Sequence, residues 1–472
     1  MTTRISTANP IEPMVSRVPE SASTHIDSFP YETDRLAVHL GPPILVAVSP
    51  EDLDCNQWGV FQFPFVWRTA EKRGSSPQAP PLLQLQVHNG LDTKGRAGYQ
   101  GRPFYFESAD NGETWGPIEE EAADFTPPAI EISPTEGKIR IGAIREDVHQ
   151  AEGAAKTGNP DMLTPNASVL ATLVSPNQYG IANVYRFGDL PESFRSFPIS
   201  RCADGARWTP ADAFIDFPEL RITAFAKSRV HDDWVAIQPR LPRLRPRHVV
   251  SDGAGTLIGL VQGQHPDRTA FFLVLYCIAS TDGGATWRPQ GIVADDPSAG
   301  KWGYSAVEAD LVRTPSGELV CVSRTDQAAT TPGDSRHTVQ MRSSDNGRTW
   351  SAPRPVAPYS VRPQLIPLEC GATALLYGRP GVHLLFSDAE CREWHTPRTV
   401  IGRHLDELKQ FSALAGGNLY GLAFGNDTCG NARHAITAPN RFLVAYADFN
   451  LRDDSGRPRK LINVREVTVR ET

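Results

Sequence analysis

The sequence is poor in long apolar runs, in paired cysteines and in basic charge, and each absence excludes a class of protein. No hydrophobic stretch is long enough to cross a bilayer, so we predict no membrane-spanning segment. The seven cysteines are widely spaced and form no CxxC pair, which argues against a disulfide framework or a zinc site and favours a reducing compartment. The net charge of −7 argues against a nucleic-acid partner, because phosphate binding needs a basic surface.

Cofactor and targeting motifs are absent as well. The chain contains no P-loop, GxGxxG, HExxH or GxSxG pattern in a suitable setting, and we therefore predict no cofactor and no metal. The first residues contain no apolar signal segment, which together with the cysteine pattern predicts a cytoplasmic protein. Residues 1–34 are rich in Ser, Thr and Pro, and we interpret them as a flexible extension.

The chain is rich, by contrast, in short β-like runs. Apolar stretches such as PLLQLQV, FFLVLYCIAS and ELVCVSR follow one another, and Gly, Pro, Asp and Asn separate them. Amphipathic patterns long enough for a stable helix are nearly absent. Residues 35–472 are therefore predicted to form a single all-β domain.

An eight-residue pattern occurs three times. It reads SADNGETW at 108–115, STDGGATW at 280–287 and SSDNGRTW at 343–350, each time directly after an apolar run. Asp or Asn with Gly supplies the positive φ of a hairpin turn, the Ser and Asp side chains can accept from turn N–H groups, and the Trp starts the next strand. A degraded copy at 387–394 keeps only the Ser and the Trp. Such repetition is typical of radial arrays of four-stranded sheets.

The octamers resemble the Asp-box of bacterial neuraminidase (BNR) repeat proteins, and the chain resembles the sialidase superfamily over roughly residues 40–450. The resemblance implies a six-bladed β-propeller of four-stranded antiparallel sheets, with seven blades as the alternative. It implies that the octamers lie at the blade periphery, where turn formation and packing explain them. The site of that family needs three arginines that bind the substrate carboxylate, an Asp acid/base, and a Tyr nucleophile with a Glu beside it.

Four residues of this chain match positions of that site. The segment GYSAVEADLVRTPSGELVCVSR resembles the one that bears the Glu and the second arginine, which nominates Glu308 and Arg324. In YGRPGVHLLFS, Arg379 stands where the third arginine is expected, and in LQVHNGLDTKG, Asp92 stands where the acid/base loop falls. Glu308 and Asp92 are thus the predicted catalytic residues. Arg324 and Arg379 are predicted to bind substrate, because a guanidinium binds a carboxylate in bidentate fashion.

Two positions depart from the family pattern. The run QFP at 62–64 stands where R-I-P is expected, so Gln62 replaces the first arginine as a substrate-binding residue. Phe411 opens the segment that resembles Y-S-x-L, and Phe cannot attack an anomeric carbon. Ordinary retaining sialidase chemistry is therefore not expected, unless Tyr359 or Tyr420 acts in its place.

The predicted function is that of a sialidase-like exo-glycosidase on a carboxylated or polar sugar, small or oligosaccharide, by inversion or by elimination. One alternative is a non-catalytic propeller that binds carbohydrate or protein, in which Glu308 and Arg324 are a structural ion pair. Another is a polysaccharide lyase that uses Tyr179, Tyr185 and Arg186. The basic stretch at 240–250 is expected to rim the funnel or to form a subunit contact.

Overall fold

The fold is seen in a computed structural model of the chain. It describes residues 31–33, 36–55, 59–69, 82–89, 101–142, 182–189, 192–203, 207–225, 228–230, 233–235, 244–264, 273–295, 304–325, 337–357, 361–378, 381–395, 398–402 and 428–471. Within these residues no helix is long and apolar enough to span a bilayer.

The described part of the chain is almost entirely β-structure, which confirms the all-β prediction. Its strands are β1 (Tyr31–Thr33), β2 (Leu36–Leu40), β3 (Ile44–Val48), β4 (Gln62–Arg68), β5 (Leu83–His88), β6 (Phe104–Ser108), β7 (Gly116–Ile118), β8 (Ile130–Ser133), β9 (Gly137–Ile141), β10 (Ala182–Arg186), β11 (Ser196–Cys202), β12 (Thr209–Ile215), β13 (Arg221–Phe225), β14 (Ser228–Val230), β15 (Asp233–Val235), β16 (Val249–Ser251), β17 (Leu257–Gln264), β18 (Leu273–Ser280), β19 (Thr286–Ala294), β20 (Tyr304–Arg313), β21 (Leu319–Thr325), β22 (Thr338–Ser343), β23 (Arg354–Ala357), β24 (Val361–Pro367), β25 (Ala372–Gly378), β26 (Val382–Asp388), β27 (Arg398–Ile401), β28 (Arg433–Ala438), β29 (Arg441–Arg452) and β30 (Pro458–Glu471). The helical elements are single turns, α1 (Glu192–Arg195) and the 3₁₀ turns Glu120–Ala122, Phe187–Asp189 and Pro246–His248.

Three of the sheets are four-stranded antiparallel meanders in which each strand pairs with the next. They are sheet 1 (β4–β7), sheet 3 (β20–β23) and sheet 4 (β24–β27). Sheet 2 has ten strands. One group, β8, β9, β11 and β12, is joined to a second group, β16–β19, by a short parallel pairing of β12 with β19. Beyond β17 the sheet continues with β13 and then β10. Sheet 5 has six strands and unites β1–β3 with β28–β30, so strands from the two ends of the chain lie side by side. A separate pair is formed by β14 and β15.

Apolar clusters lie between neighbouring sheets and hold them face to face. One cluster joins sheets 2 and 3, another sheets 3 and 4, a third sheets 4 and 5, and a fourth sheets 5 and 1. Because a middle strand is then covered on both faces, β25 is buried along its whole length and reads as a continuous apolar run. Trp287 is the largest fully buried side chain, and truncating such a residue to Ala costs about 3–5 kcal/mol.

Each octamer forms a turn that is tied together by its own side chains. In the third copy, Asp345 accepts hydrogen bonds from Thr349 N at 2.9 Å and Thr349 Oγ1 at 2.6 Å. Ser343 Oγ donates to Asp345 at 2.8 Å and accepts from Gly347 N at 2.8 Å, and Trp350 Nε1 donates to Gly347 O at 3.0 Å. The bonds of Ser, Asp, the Thr N–H and Trp recur in the copies at 108–115 and 280–287.

The turns also connect neighbouring groups of strands. The glycine at the fifth position of each octamer has a positive φ and lies so close to a neighbouring group of strands that a methyl group would collide with it; the pairs are Gly112 with Leu443 of sheet 5, Gly284 with Ile139 of β9 in sheet 2, and Gly347 with Cys277 of sheet 2. Glycine is required there by both conformation and space. In the degraded copy, Trp394 Nε1 donates instead to Gln340 of sheet 3 at 2.9 Å. The turns of sheets 1, 3 and 4 thus pack on sheets 5, 2 and 3, whereas the turn at 280–287 packs on β9 within sheet 2.

The predicted extension over residues 1–34 is described only at its end. Tyr31–Thr33 forms β1, which pairs antiparallel with β2 at the edge of sheet 5. The earlier residues lie outside the described part of the chain, so the flexible extension and the single domain over 35–472 stay predictions.

Candidate functional site

The first strands of sheets 1, 3 and 4 are each irregular near their beginning. Register shifts lie between Gln62 and Phe65 in β4, between Ser305 and Ala309 in β20, and between Val361 and Gln364 in β24. Phe63 and Arg362 have positive φ angles of 55° and 47°, and each stands directly before a proline. Such backbone is strained for a non-glycine residue and concentrates at functional sites, where bulges redirect side chains.

The bulge in β20 brings two of the predicted residues together. Arg324 Nη1 donates to Glu308 Oε2 at 2.8 Å across the β20–β21 pair. The same Oε2 accepts from the backbone N–H of Arg362 at 3.2 Å, which links sheet 3 to sheet 4. The side chains of Arg324 and Glu308 keep 14% and 16% of their exposure, so the pair is accessible to a ligand of modest size.

Four further arginines lie around this pair, and we call them the arginine cluster: Arg245, Arg247, Arg362 and Arg433. Arg433 opens β28 and is only 5% exposed. Its guanidinium lies over the ring of Phe65, with Cζ 5.2 Å from the ring centroid. Among the residues that the structure describes, the buried Nε atoms of Arg362 and Arg433 have no hydrogen-bond partner. A buried donor without a partner is costly, which makes these two groups suited to an anionic ligand.

Negative charge near the cluster is scarce in the described residues. Burial, followed by the positive charges of Arg247, Arg362 and Arg245, holds the pKa of Arg433 well below its usual range. Since a guanidinium keeps its proton in proteins, the lowered pKa indicates that the surroundings of Arg433 are unfavourable for its positive charge. Asp310 is the carboxylate that attracts both Arg247 and Arg433.

Asp310 itself is held by the backbone of two sheets. Its oxygens accept from Leu311 N at 3.1 Å and from Leu365 N at 2.9 Å, and the residue is 4% exposed. Burial raises the pKa of Asp310 to about 6, against the opposing effects of Arg247 and the two backbone donors. The charge of this carboxylate therefore changes close to neutral pH.

Gln62, where the family pattern has arginine, is accompanied by a lysine. Lys460 Nζ donates to Gln62 Oε1 at 2.9 Å and to Val60 O at 2.6 Å, and its carbon chain and charge are buried. Burial lowers the pKa of Lys460 to about 8. Gln62 is fully buried, and its Nε2 has no hydrogen-bond partner within the described chain. A cation thus lies one hydrogen bond behind the side-chain amide of Gln62.

Histidines beside the cluster add no charge. His434 Nδ1 lies 3.1 Å from Gln364 Oε1, and Gln364 Nε2 donates to Ala432 O at 2.9 Å, which connects β24 with the start of β28. Burial, followed by the charge of Arg433, lowers the pKa of His434 to about 3. His248 is also fully buried with a pKa well below its usual value, for which burial is the main cause. The positive potential therefore comes from the arginines.

Two residues of the lyase alternative, Tyr185 and Arg186, lie in β10, which pairs with β13 of sheet 2. The other residues nominated from the sequence lie outside the described part of the chain. These are Asp92, Arg379 and Phe411, together with Tyr179 and the substitute tyrosines Tyr359 and Tyr420. Their roles stay predictions. Among the described residues, no group of three His, Cys, Asp or Glu side chains is placed to hold a metal ion.

Three members of the site were not nominated from the sequence. Arg362 carries a usable signal, because V-R-P at 361–363 repeats the bulged Q-F-P of 62–64. Arg433 and Asp310 carry none that can be separated from ordinary strand residues. Arg245 and Arg247 come from the basic stretch that was expected to rim the funnel, and they do lie beside the other arginines.

Comparisons with known proteins do not identify a family for this chain. Neither the family models nor the curated proteins gave a match. The solved structures to which the chain is similar include a protein of unknown function from Dyadobacter fermentans, at 15% identity over 92% of this chain and 99% of that one, with a TM-score of 0.49. An alpha-L-arabinanase of Penicillium chrysogenum complexed with arabinobiose is similar at 12% identity over 90% and 98%, with a TM-score of 0.41. An intramolecular trans-sialidase of Ruminococcus gnavus in complex with oseltamivir carboxylate is similar at 12% identity over 88% and 96%, with a TM-score of 0.39.

Proposed function

We propose that the sheets form a six-bladed β-propeller. Splitting sheet 2 at its parallel β12–β19 pairing gives two blades, and sheets 1, 3, 4 and 5 supply the other four. The cyclic packing of the octamer turns supports this arrangement, because sheet 1 rests on sheet 5 just as sheet 3 rests on sheet 2. In such an array the first strand of each blade lies at the axis, so the bulged starts of β4, β20 and β24 would converge there.

On this scaffold we place a sialidase-like, glycoside-processing site for an acidic sugar. The observation that carries this proposal is the pair Arg362 and Arg433, whose buried Nε atoms lack partners in the described chain and lie among like charges. A carboxylate would accept from them and relieve their repulsion. Arg324 and Gln62 would complete the ring of groups around the sugar, and Arg379 is a further candidate.

The chemistry assigned to the site is acid–base catalysis by carboxylates. Glu308 is held by Arg324 and by a backbone N–H, so it is oriented and favoured in its charged form, as a general base requires. Asp92 is the candidate for the acid. The segment that resembles the one bearing the family's nucleophile opens on Phe411, which cannot attack an anomeric carbon. Inversion or elimination therefore fits these residues better than a covalent tyrosyl intermediate.

An activity screen tests the assignment. Chromogenic sialosides, uronides and neutral glycosides are offered to the wild type and to Glu308→Gln. We expect turnover of one acidic class and a loss of about 10²-fold or more in kcat for the variant. Turnover of neutral glycosides alone, or equal rates for both proteins, would contradict the proposal.

A non-catalytic acidic-sugar receptor is the second candidate. The observation in its favour is that Glu308 Oε2 already serves two donors, Arg324 and the Arg362 N–H, which limits its freedom to exchange a proton with a substrate. Calorimetric titration with the acidic sugars separates the two functions. Tight binding without turnover, unchanged in Glu308→Gln but lost in Arg362→Met, would select the receptor.

A further inference from the structure

One face of sheet 1 carries aromatic rings that the proposed acid-binding role does not use. Val66, Leu85 and Phe106 pack on sheet 5, and residues that alternate with them along the strands point to the opposite face. On that face the ring centroids of Phe65 and Trp67 are 5.5 Å apart.

Two further rings extend this row, and we call the four residues Phe65, Trp67, Tyr105 and Phe125 the aromatic strip. Phe125, from the segment after β7, stacks on Trp67 with centroids 5.4 Å apart and an interplanar angle of 25°. Tyr105 meets Phe125 edge-on at 5.7 Å. The strip therefore continues from the first strand of the sheet onto the segment that leaves it.

Two of the four rings in the strip are exposed although they are apolar, Trp67 is partly exposed, and Tyr105 is buried. Phe65 is 41% and Phe125 52% exposed, the latter being the highest value among the large hydrophobic side chains described. Burying exposed aromatic rings would stabilise the folded chain, so rings that stay exposed do not serve folding. A patch of such rings is typical of an interaction site.

Polar contacts hold the rings in place. Trp67 Nε1 donates to Asp124 O at 2.6 Å, and Gln84 Oε1 accepts from Asp124 N at 2.7 Å, so the segment that carries Phe125 is fixed to the sheet. Gln86 Nε2 donates to the hydroxyl of Tyr105 at 3.3 Å. A preorganised surface loses little conformational entropy when a ligand lies on it.

The strip is continuous with the arginine cluster. The guanidinium of Arg433 lies over Phe65, while Phe65 in turn contacts Trp67. A ligand that follows the strip inward thus passes from rings that favour apolar C–H faces to groups that favour carboxylate. A pyranose chain has both chemistries, since each ring offers a C–H face and an acidic sugar ends it.

We propose that the aromatic strip is a stacking subsite for the sugar ring, or rings, attached to the acidic sugar that the arginine cluster holds. The ligand is then an acidic oligosaccharide, recognised at its charged end by Arg362 and Arg433 and along its chain by Phe65, Trp67 and Phe125. The inference rests on the proposed function for the charged end.

Paired ligands of different length test the subsite. Galacturonate is compared with trigalacturonate, and N-acetylneuraminate with sialyllactose, by calorimetric titration of the full chain and by quenching of tryptophan fluorescence. For the acid that binds, we expect the trisaccharide to bind roughly tenfold more tightly, the factor that about 1.4 kcal/mol of ring contact supplies. Phe125→Ala should remove this preference and leave monosaccharide affinity unchanged.

The control is Ile292→Ala on β19, since Ile292 is 43% exposed but lies in another sheet; it should keep the preference for length. If wild type binds an acidic monosaccharide without preferring the trisaccharide, or if Phe125→Ala keeps the preference, the subsite is refuted while the arginine site stands. If neither acid binds at either length, the proposed function falls and the subsite with it. Phe125→Ala is expected to fold, because its ring is half exposed, and circular dichroism verifies this.

Discussion

Replacing Arg433 with methionine tests whether the arginine cluster binds a ligand or stabilises the fold. Arg433 is 5% exposed and feels three like charges, Arg245, Arg247 and Arg362, against one opposite charge, Asp310. At an effective dielectric constant of about 20, two unit charges roughly 8 Å apart interact by about 2 kcal/mol. Two unopposed repulsions therefore destabilise the ligand-free protein by about 4 kcal/mol on this scale.

Methionine removes these repulsions and keeps much of the packing of the arginine stem. The lost ring contact with Phe65 and the smaller side chain offset part of the gain, the ring contact by about 1 kcal/mol. We expect Arg433→Met to raise the free energy of unfolding by about 1–3 kcal/mol, because the unopposed repulsions that it removes exceed the contacts that it loses. The same variant should lose binding of acidic sugars.

Urea unfolding followed by tryptophan fluorescence measures the first effect, and calorimetric titration the second. Arg441→Met is the matched control in the same sheet, since Arg441 is 41% exposed and pairs with Glu466 at 3.5 Å; its stability should change by less than about 1 kcal/mol. A loss of about 3 kcal/mol or more in Arg433→Met would show that Arg433 belongs to a buried ion pair that the fold requires, and the reasoning would fail.

Three further outcomes follow from the same contacts. The pKa of Asp310 is about 6, so its carboxylate loses its negative charge and the site becomes more positive as pH falls through 6. An acidic sugar should therefore bind roughly 10- to 30-fold more tightly at pH 5 than at pH 7.5. When the wild type and Asp310→Asn are each titrated with the sugar at both pH values, the variant should show no such difference. Asp345→Ala should lower the free energy of unfolding, measured in urea, by about 2–3 kcal/mol, because it removes three short hydrogen bonds to a carboxylate. Asp388→Ala removes hydrogen bonds of 3.2 Å from the degraded turn and should lower it by about 1 kcal/mol. Equal losses in the two variants would contradict the idea that the short bonds of the intact turn stabilise the fold. The pKa of Lys460 is lowered to about 8 in the folded protein, so the unfolded chain binds the ammonium proton more tightly. The free energy of unfolding in urea should therefore rise between pH 8 and 10 relative to that of Lys460→Met. Parallel pH profiles for the two proteins would refute this prediction.

The fold could be predicted because its signals are local. The octamer needs only residues within one turn: Asp345 and Thr349 are four positions apart, and their hydrogen bonds define the loop whatever surrounds it. The apolar run of β25 likewise indicates that both faces of the strand are covered. The joining of β12 to β19 could not be predicted, because a parallel pairing of two residue pairs leaves no pattern in the sequence.

The contact between two nominated residues could be predicted because they lie a fixed spacing apart, while their role in a site stays a prediction. Glu308 and Arg324 stand on paired strands with a turn between them, so their contact follows from the hairpin. Arg433 and Arg362 are 71 positions apart, and their proximity comes from the packing of sheet 4 on sheet 5, which no local pattern encodes. Asp310 looks like one more polar residue in a strand. Its function as an acceptor for Leu365 N exists only once two sheets meet.

Backbone strain at the starts of β4 and β24 and charge repulsion at the start of β28 occur together, and this coincidence is the strongest physical argument for a ligand. Phe63 and Arg362 hold positive φ angles that cost of order 1–3 kcal/mol each for non-glycine residues, while Arg433 adds the repulsion estimated above. Substitution could remove the strain at Arg362 and the repulsion at Arg433, whereas Phe63 also packs on the core between sheets 5 and 1. A bound anion offsets them, since a ligand at 100 times its Kd stabilises the folded state by about 2.7 kcal/mol. The arrangement is therefore consistent with a surface that is completed by an acidic sugar, and the length preference of that sugar decides whether Phe65 and Phe125 belong to it.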